Sequence, residues 1–180
     1  SVEHTNEMNW VHRIHKALEE ERIELFVQQI LNLSNTAHQY YEVLIRMRGE
    51  DGEIIPPLAF LPAAERYGLI GQIDKYVIEK SLQAFSSTDL NNIHLSINLS
   101  GQTLSDHNIM NFIIKSIDTY GFNADRLTFE VTETAMVANL ADAIRFISTL
   151  KGLGCRFALD DFGSGFSSFA YLKNLPVDII

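Results

Sequence analysis

Oxygen-bearing residues stand at the ends of successive apolar runs in this chain. Asn98 follows Ile93-His94-Leu95-Ser96-Ile97, Glu130 follows Leu127-Thr128-Phe129, and Asp160-Asp161 follow Arg156-Phe157-Ala158-Leu159. Glu42 lies inside a further run, Tyr40–Met47. An all-oxygen set of this kind suits Mg²⁺ or Mn²⁺ rather than zinc or copper. Adjacent carboxylates such as Asp160 and Asp161 repel unless cations neutralise them. Asp160 is placed to bridge two metals, as two-metal phosphodiester sites require. Taken singly, an acid after a strand reads more readily as a helix N-cap. The metal reading rests on the set, because Asn98, Glu130 and Asp160 recur at the same place in successive units. Gly163 and Gly165, just after the Asp pair, allow backbone conformations closed to other residues, in a loop that suits a phosphate or an ordinary turn.

Which elements would hold these groups follows from the hydrophobic pattern. Residues 10–22 read as a helix with Trp10, Val11, Ile14, Ala17 and Leu18 on one face. Strands are expected at 25–31 and 40–47, separated by the polar turn 32–36. Helices are expected at 58–67 and 73–85. Beyond them strands at 93–99, 127–131 and 155–159 alternate with helices at 109–120, 135–150 and 167–175, and a last strand begins at 177. Units of roughly 30 residues alternating in this way predict an α/β fold with a mainly parallel sheet. In such sheets ligands bind at the carboxyl ends of the strands, where the acids stand. About six strands are expected, whereas a complete (β/α)8 barrel takes about 250 residues. A chain stopping inside a strand leaves an edge uncovered, so the sequence is expected to be a fragment of a longer domain.

Composition narrows the class. The 180 residues are 46% hydrophobic and 21% charged, within the range of a globular domain with a real core. The formal charge of −9 argues against binding duplex DNA or RNA, which needs clustered Lys and Arg. No apolar run approaches the roughly 20 residues of a membrane span, and residues 1–10 carry no signal-peptide pattern, so no membrane contact is expected of this segment. The single cysteine, Cys155, excludes a disulfide framework and fits a reducing, cytoplasmic setting. His12 and His15 read as a solvated helix face, and Cys155 as a small buried residue.

Five motifs in order now carry a resemblance. Tyr41-Glu42-Val43-Leu44-Ile45-Arg46 resembles the Glu-x-Leu-x-Arg signature of the bacterial EAL domain family. Pro57-Leu58-Ala59-Phe60-Leu61-Pro62-Ala63-Ala64-Glu65, Asn98-Leu99-Ser100, Glu130-Val131-Thr132-Glu133 and Asp160-Asp161-Phe162-Gly163-Ser164-Gly165 are similar to its later segments. The likeness runs from about Ile23 to the last residue, leaving residues 1–22 as an N-terminal linker helix and 23–180 as an EAL domain incomplete at its C-terminus.

The resemblance implies a modified (β/α)8 TIM-type barrel whose first strand runs against the others. It implies hydrolysis of the second messenger cyclic di-GMP to linear pGpG with two divalent cations, Mg²⁺ or Mn²⁺. By resemblance, Glu42, Asn98, Glu130 and Asp160 hold one metal, and Asp160 and Asp161 the second. Glu133 is similar to an acid that supports the Asp-Asp-Phe-Gly loop. Arg46 resembles the arginine that meets the substrate phosphate, and Gln28 a glutamine at the guanine end. Such domains often follow sensor or GGDEF domains; Trp10 and its apolar stripe suit core packing, a linker helix from an upstream domain or a homodimer contact, with the linker favoured. Val43 stands where the family has alanine and Gln29 where it usually has proline. The family's lysine after the Asp-Ile-Ile segment and a later glutamate lie beyond this sequence, so the fragment itself is expected to be a poor catalyst. The alternative is an EAL domain without catalysis, acting as a cyclic di-GMP receptor or protein-interaction module. Such domains commonly lose metal ligands, whereas every ligand position within this sequence is kept, which favours the enzyme. An unrelated metal-dependent barrel enzyme, a third reading, is disfavoured by the ordered motifs.

Overall fold

The computed structural model describes residues 2–31, 37–86, 92–161 and 176–179. Its helices are α1 (Val2–Glu19), α2 (Pro57–Arg66), α3 (Ile70–Phe85), α4 (Gly101–Leu104), α5 (His107–Tyr120), α6 (Glu133–Ala138) and α7 (Leu140–Gly152). Its strands are β1 (Ile23–Ile30), β2 (Gln39–Arg48), β3 (Ile54–Ile55), β4 (Ile93–Asn98), β5 (Leu127–Thr132) and β6 (Arg156–Asp160). They form one sheet in the order β1-β2-β4-β5-β6, with the two-residue β3 paired to β2. The first pair, β1 with β2, is antiparallel; β2, β4, β5 and β6 are mutually parallel. The expected α/β architecture with an antiparallel first strand is therefore present. β1 stays in regular pairing through Gln29↔Tyr41 and Ile30↔Tyr40, so the residue that replaces proline extends the strand without interruption.

Strand alternation gives the sheet two unlike faces. Val43 and Met47 of β2, Leu95 and Ile97 of β4, Leu127, Phe129 and Val131 of β5, and Phe157 and Leu159 of β6 are all buried. They pack under the apolar stripes of α3 (Ile73, Val77, Ile78, Leu82), α5 (Ile109, Ile113) and α7 (Phe146, Ile147, Leu150). Phe157 lies 5.6 Å, centroid to centroid, from Phe129, and meets Phe146 edge-on at 6.4 Å, which seats α7 over β5 and β6. Each fully buried side chain of this size contributes roughly 1.5–3 kcal/mol. Val43 belongs to this layer, so the valine that replaces the signature alanine faces the core.

The helices begin and end where local chemistry dictates. The Asp106 carboxylate caps α5 by accepting the Asn108 N–H at 2.8 Å, and Gly121, at φ 59°, closes it in the left-handed region that glycine tolerates. The single helix expected over 135–150 is instead two. Asn139 leaves helical geometry at φ −147° and ψ 75°. Its side chain donates to Asp142 Oδ2 at 2.6 Å and Ser105 Oγ at 3.3 Å, an asparagine competing with the helical backbone. The expected helix 167–175 and the turn 32–36 lie outside the described residues. Of the last expected strand, Ile179 forms an isolated parallel bridge with Ala158. No described helix is long and apolar enough to cross a membrane.

Candidate active site

The second face of the sheet is polar, and register decides which side chains share it. Gln28 stands opposite Glu42, and Glu24 opposite Arg46, across the β1–β2 pair. Glu42 is level with Ser96, Asn98 with Glu130, Glu130 with Ala158, and Thr132 with Asp160. Directly paired residues point the same way, so Gln28, Glu42, Arg46, Asn98, Glu130 and Asp160 all project from this face. In the parallel strands, Asn98 and Asp160 are the final residues. Glu130 sits two residues inside the end of β5, deeper than the sequence pattern places it.

Contacts join part of this set. The Asn98 side-chain amide donates to Glu42 Oε1 at 3.0 Å. Glu130 is half-buried, and burial raises its carboxyl above the usual range. A hydrogen bond from Ser96 opposes that rise, while the negative charges of Glu42 and Asp160 reinforce it. Asp160 turns one oxygen, Oδ1, onto the N–H of Asp161 at 2.8 Å. Asp161 itself sits at φ 53°, a region asparagine and aspartate enter more readily than most residues. A cavity of about 410 Å³ lies on the same face, lined by Tyr40, Ser96, Thr128, Glu130, Arg156 and Ala158 among others.

Arg46 lies beyond the level of the β4 terminus. Its register partner Glu24 is engaged elsewhere: Arg48 clasps that carboxylate with Nε at 2.6 Å and Nη2 at 2.9 Å. Among the described residues Arg46 forms no ion pair; its Nη1 donates to the Ile45 carbonyl at 2.7 Å, and its guanidinium lies 6.0 Å from the Phe26 ring centroid. That leaves a planar, permanently charged fork at the rim, suited to a phosphate. Glu133 differs from the others. It opens α6 and is 2% exposed, and Thr132 before it caps the helix by accepting the Ala135 N–H at 3.2 Å. Residues 162–165, the rest of the glycine loop, lie outside the described residues.

The donor set fits a hard divalent cation in chemistry, being built from carboxylates and one amide. Mutual repulsion among Glu42, Glu130 and Asp160 is the feature a cation would relieve. The groups line a rim without closing a cage: among the described residues, no three Asp, Glu, His or Cys side chains are gathered to ion-binding distance. Sequence reasoning also passed over Asp74, a buried carboxylate of α3 that bonds the segment just after Asn98. Its signal was readable, because Asp74 falls on the stripe formed by Ile70, Ile73, Val77 and Ile78.

Comparison with known proteins bears on the family and the fold. The sequence model of the EAL domain matches residues 11–180. Cyclic di-GMP phosphodiesterase PdeB of Shewanella oneidensis is 39% identical over 178 residues, covering 97% of this chain and 21% of its own length. Cyclic di-GMP phosphodiesterase PdeF of Escherichia coli is 36% identical over 172 residues, covering 94% of this chain and 23% of its own. The crystal structure of the FimX EAL domain from Pseudomonas aeruginosa bound to c-di-GMP superposes with a TM-score of 0.88 at 28% identity, covering 94% of this chain and 69% of that one. The chain belongs to the EAL domain family, and its fold is the family's TIM-like barrel. It spans about a fifth of the length of those two curated relatives.

Proposed function

We propose that the protein carrying this chain hydrolyses cyclic di-GMP to linear pGpG, using two divalent cations, Mg²⁺ or Mn²⁺. The observation that carries this reading is the co-facial row of Glu42, Asn98, Glu130 and Asp160 on adjacent parallel strands, the last three at or near their carboxyl ends and Glu42 further inside β2. Two relatives named as cyclic di-GMP phosphodiesterases, each over 30% identical, support it.

Glu42, Asn98, Glu130 and Asp160 would hold one cation, with Asp160 and Asp161 holding the second. Bound there, the metals supply Lewis acidity, lowering the pKa of a water and offsetting charge on the phosphoryl oxygens. The remaining work belongs to the chain's own residues. Arg46 orients the scissile phosphate through its guanidinium fork, which converts attack by water into a positioned reaction. Gln28, opposite Glu42, contacts the guanine end. Glu133 supports the segment that carries Asp160 and Asp161. Residues 23–180 form the catalytic body on this reading. Residues 1–22 connect it to an upstream sensor or GGDEF domain on the cytoplasmic side, with Ile14 and Ala17 docked into the core.

The test is hydrolysis of cyclic di-GMP by the full-length protein in Mg²⁺ or Mn²⁺, with an EDTA control. Metal-dependent release of pGpG is expected. Binding of the dinucleotide without its cleavage would replace this reading with that of a receptor.

A further inference from the structure

Asp74 is 6% exposed and interrupts the apolar stripe of α3. Burial raises its carboxyl above the ordinary range, opposed by hydrogen bonds from Thr103 and Ser100. Among the described residues it has no cationic partner. A carboxylate in such a place weakens the stripe unless something is gained from what it binds. One oxygen, Oδ2, accepts both the Ser100 N–H at 3.0 Å and the Thr103 hydroxyl at 2.5 Å.

Those two donors define the turn that follows β4. Ser100 is the N-cap of α4, accepting the Thr103 N–H at 3.3 Å. Leu99, one residue earlier, donates its N–H to the Glu130 carbonyl at 2.9 Å. The chain leaving Asn98 is thus fixed on one side to β5 and on the other to α3. Asn98 in turn directs its amide at Glu42. Gly101 lets α4 lie close against α6: a Cβ there would stand 3.1 Å from Ala135 Cβ.

We infer that Asp74 is a positioning residue for the active site: by holding Ser100 and Thr103 it fixes the exit of β4, and with it the placement of the Asn98 side chain. The inference rests on the metal-site reading given above. It differs from general support of the fold in one respect. Loss of Asp74 should act on cation affinity, in the way that groups supporting a ligand typically do, by about 10–100-fold.

The experiment is Mn²⁺ titration of the full-length protein by calorimetry, alongside thermal melting. Asp74→Ala is expected to weaken Mn²⁺ binding at least about tenfold. Asp74→Asn keeps one oxygen able to accept both bonds and is expected to restore binding to within about threefold of wild type. Ile78→Ala, one turn further along the same buried stripe, is the control; it is expected to lower Tm and leave Mn²⁺ affinity unchanged. Wild-type affinity in a folded Asp74→Ala protein overturns the inference, as does an equal loss of affinity in Ile78→Ala. If Asp74→Ala does not fold, Thr103→Val decides: it removes one of the two donors at constant shape, a loss of about threefold is expected, and unchanged affinity overturns the inference. Absence of Mn²⁺ binding by the wild-type protein would overturn the metal site itself, a result distinct from any difference among the variants.

Discussion

Lys151 Nζ lies 2.7 Å from Oδ1 of Asp178, and the second oxygen of that carboxylate accepts the N–H of Phe157 at 2.8 Å. One acid therefore ties the end of α7 to the start of β6 and to the bridge made by Ile179. Burial acts to raise the Asp178 carboxyl, but the hydrogen bonds from Lys151 and Phe157 outweigh it and hold the group below its usual range. A folded-state pKa below the unfolded value gives stabilisation that is complete above about pH 4 and lost as pH falls through the folded pKa. Asp178→Asn is expected to lower Tm at pH 7, with the gap to wild type closing as both are melted at progressively lower pH. A gap independent of pH would show that the charge is not the source.

Cys155 gives a second pH-linked expectation. Burial pushes its thiol up to about 12. At pH 8 the native domain should therefore react with a disulfide reagent only through unfolding, since the thiolate is the nucleophile. This is the sole cysteine of the chain. Reaction of the isolated domain at the rate of a free thiol would contradict its burial.

Phe157 is fully buried between Phe129 and Phe146. Phe157→Ala is expected to cost about 3–5 kcal/mol, the usual range for emptying such a site. Urea denaturation measures this directly, and a loss under about 1 kcal/mol would mean that the layer relaxes into the space.

Glu42→Ala is expected to abolish cyclic di-GMP hydrolysis by the full-length protein while leaving Tm within a few degrees. The side chain is on the polar face and contributes nothing to the helix-covered core. Its removal also takes away the acceptor of the Asn98 amide. Turnover at the wild-type rate would remove Glu42 from the proposed site.

Much of this arrangement was legible from residue order alone. Apolar periodicity marked every strand except β3, which has two residues and no pattern to detect. The position of Asn98 at a strand end was readable, whereas its contact with Glu42 was not, because that depends on the β2–β4 register. The four-residue α4 escaped the helical pattern for the same reason of length, although Ser100 is a residue type that favours the N-cap. The break at Asn139 was hidden because the apolar spacing on either side nearly continues. Asp74 was readable but easily passed over: an acid in a helix looks like a solvated position until its neighbours on the stripe are counted.

The two faces of the sheet have a consequence for how such a domain changes over generations. Consecutive residues along β4 or β5 answer to separate demands, one set by packing under the helices and the next by the chemistry of the rim. Side chains of the polar face can be exchanged singly with little effect on whether the chain folds. The same scaffold can therefore lose or regain a reaction through a handful of alternate positions, with the interleaved core left as it was.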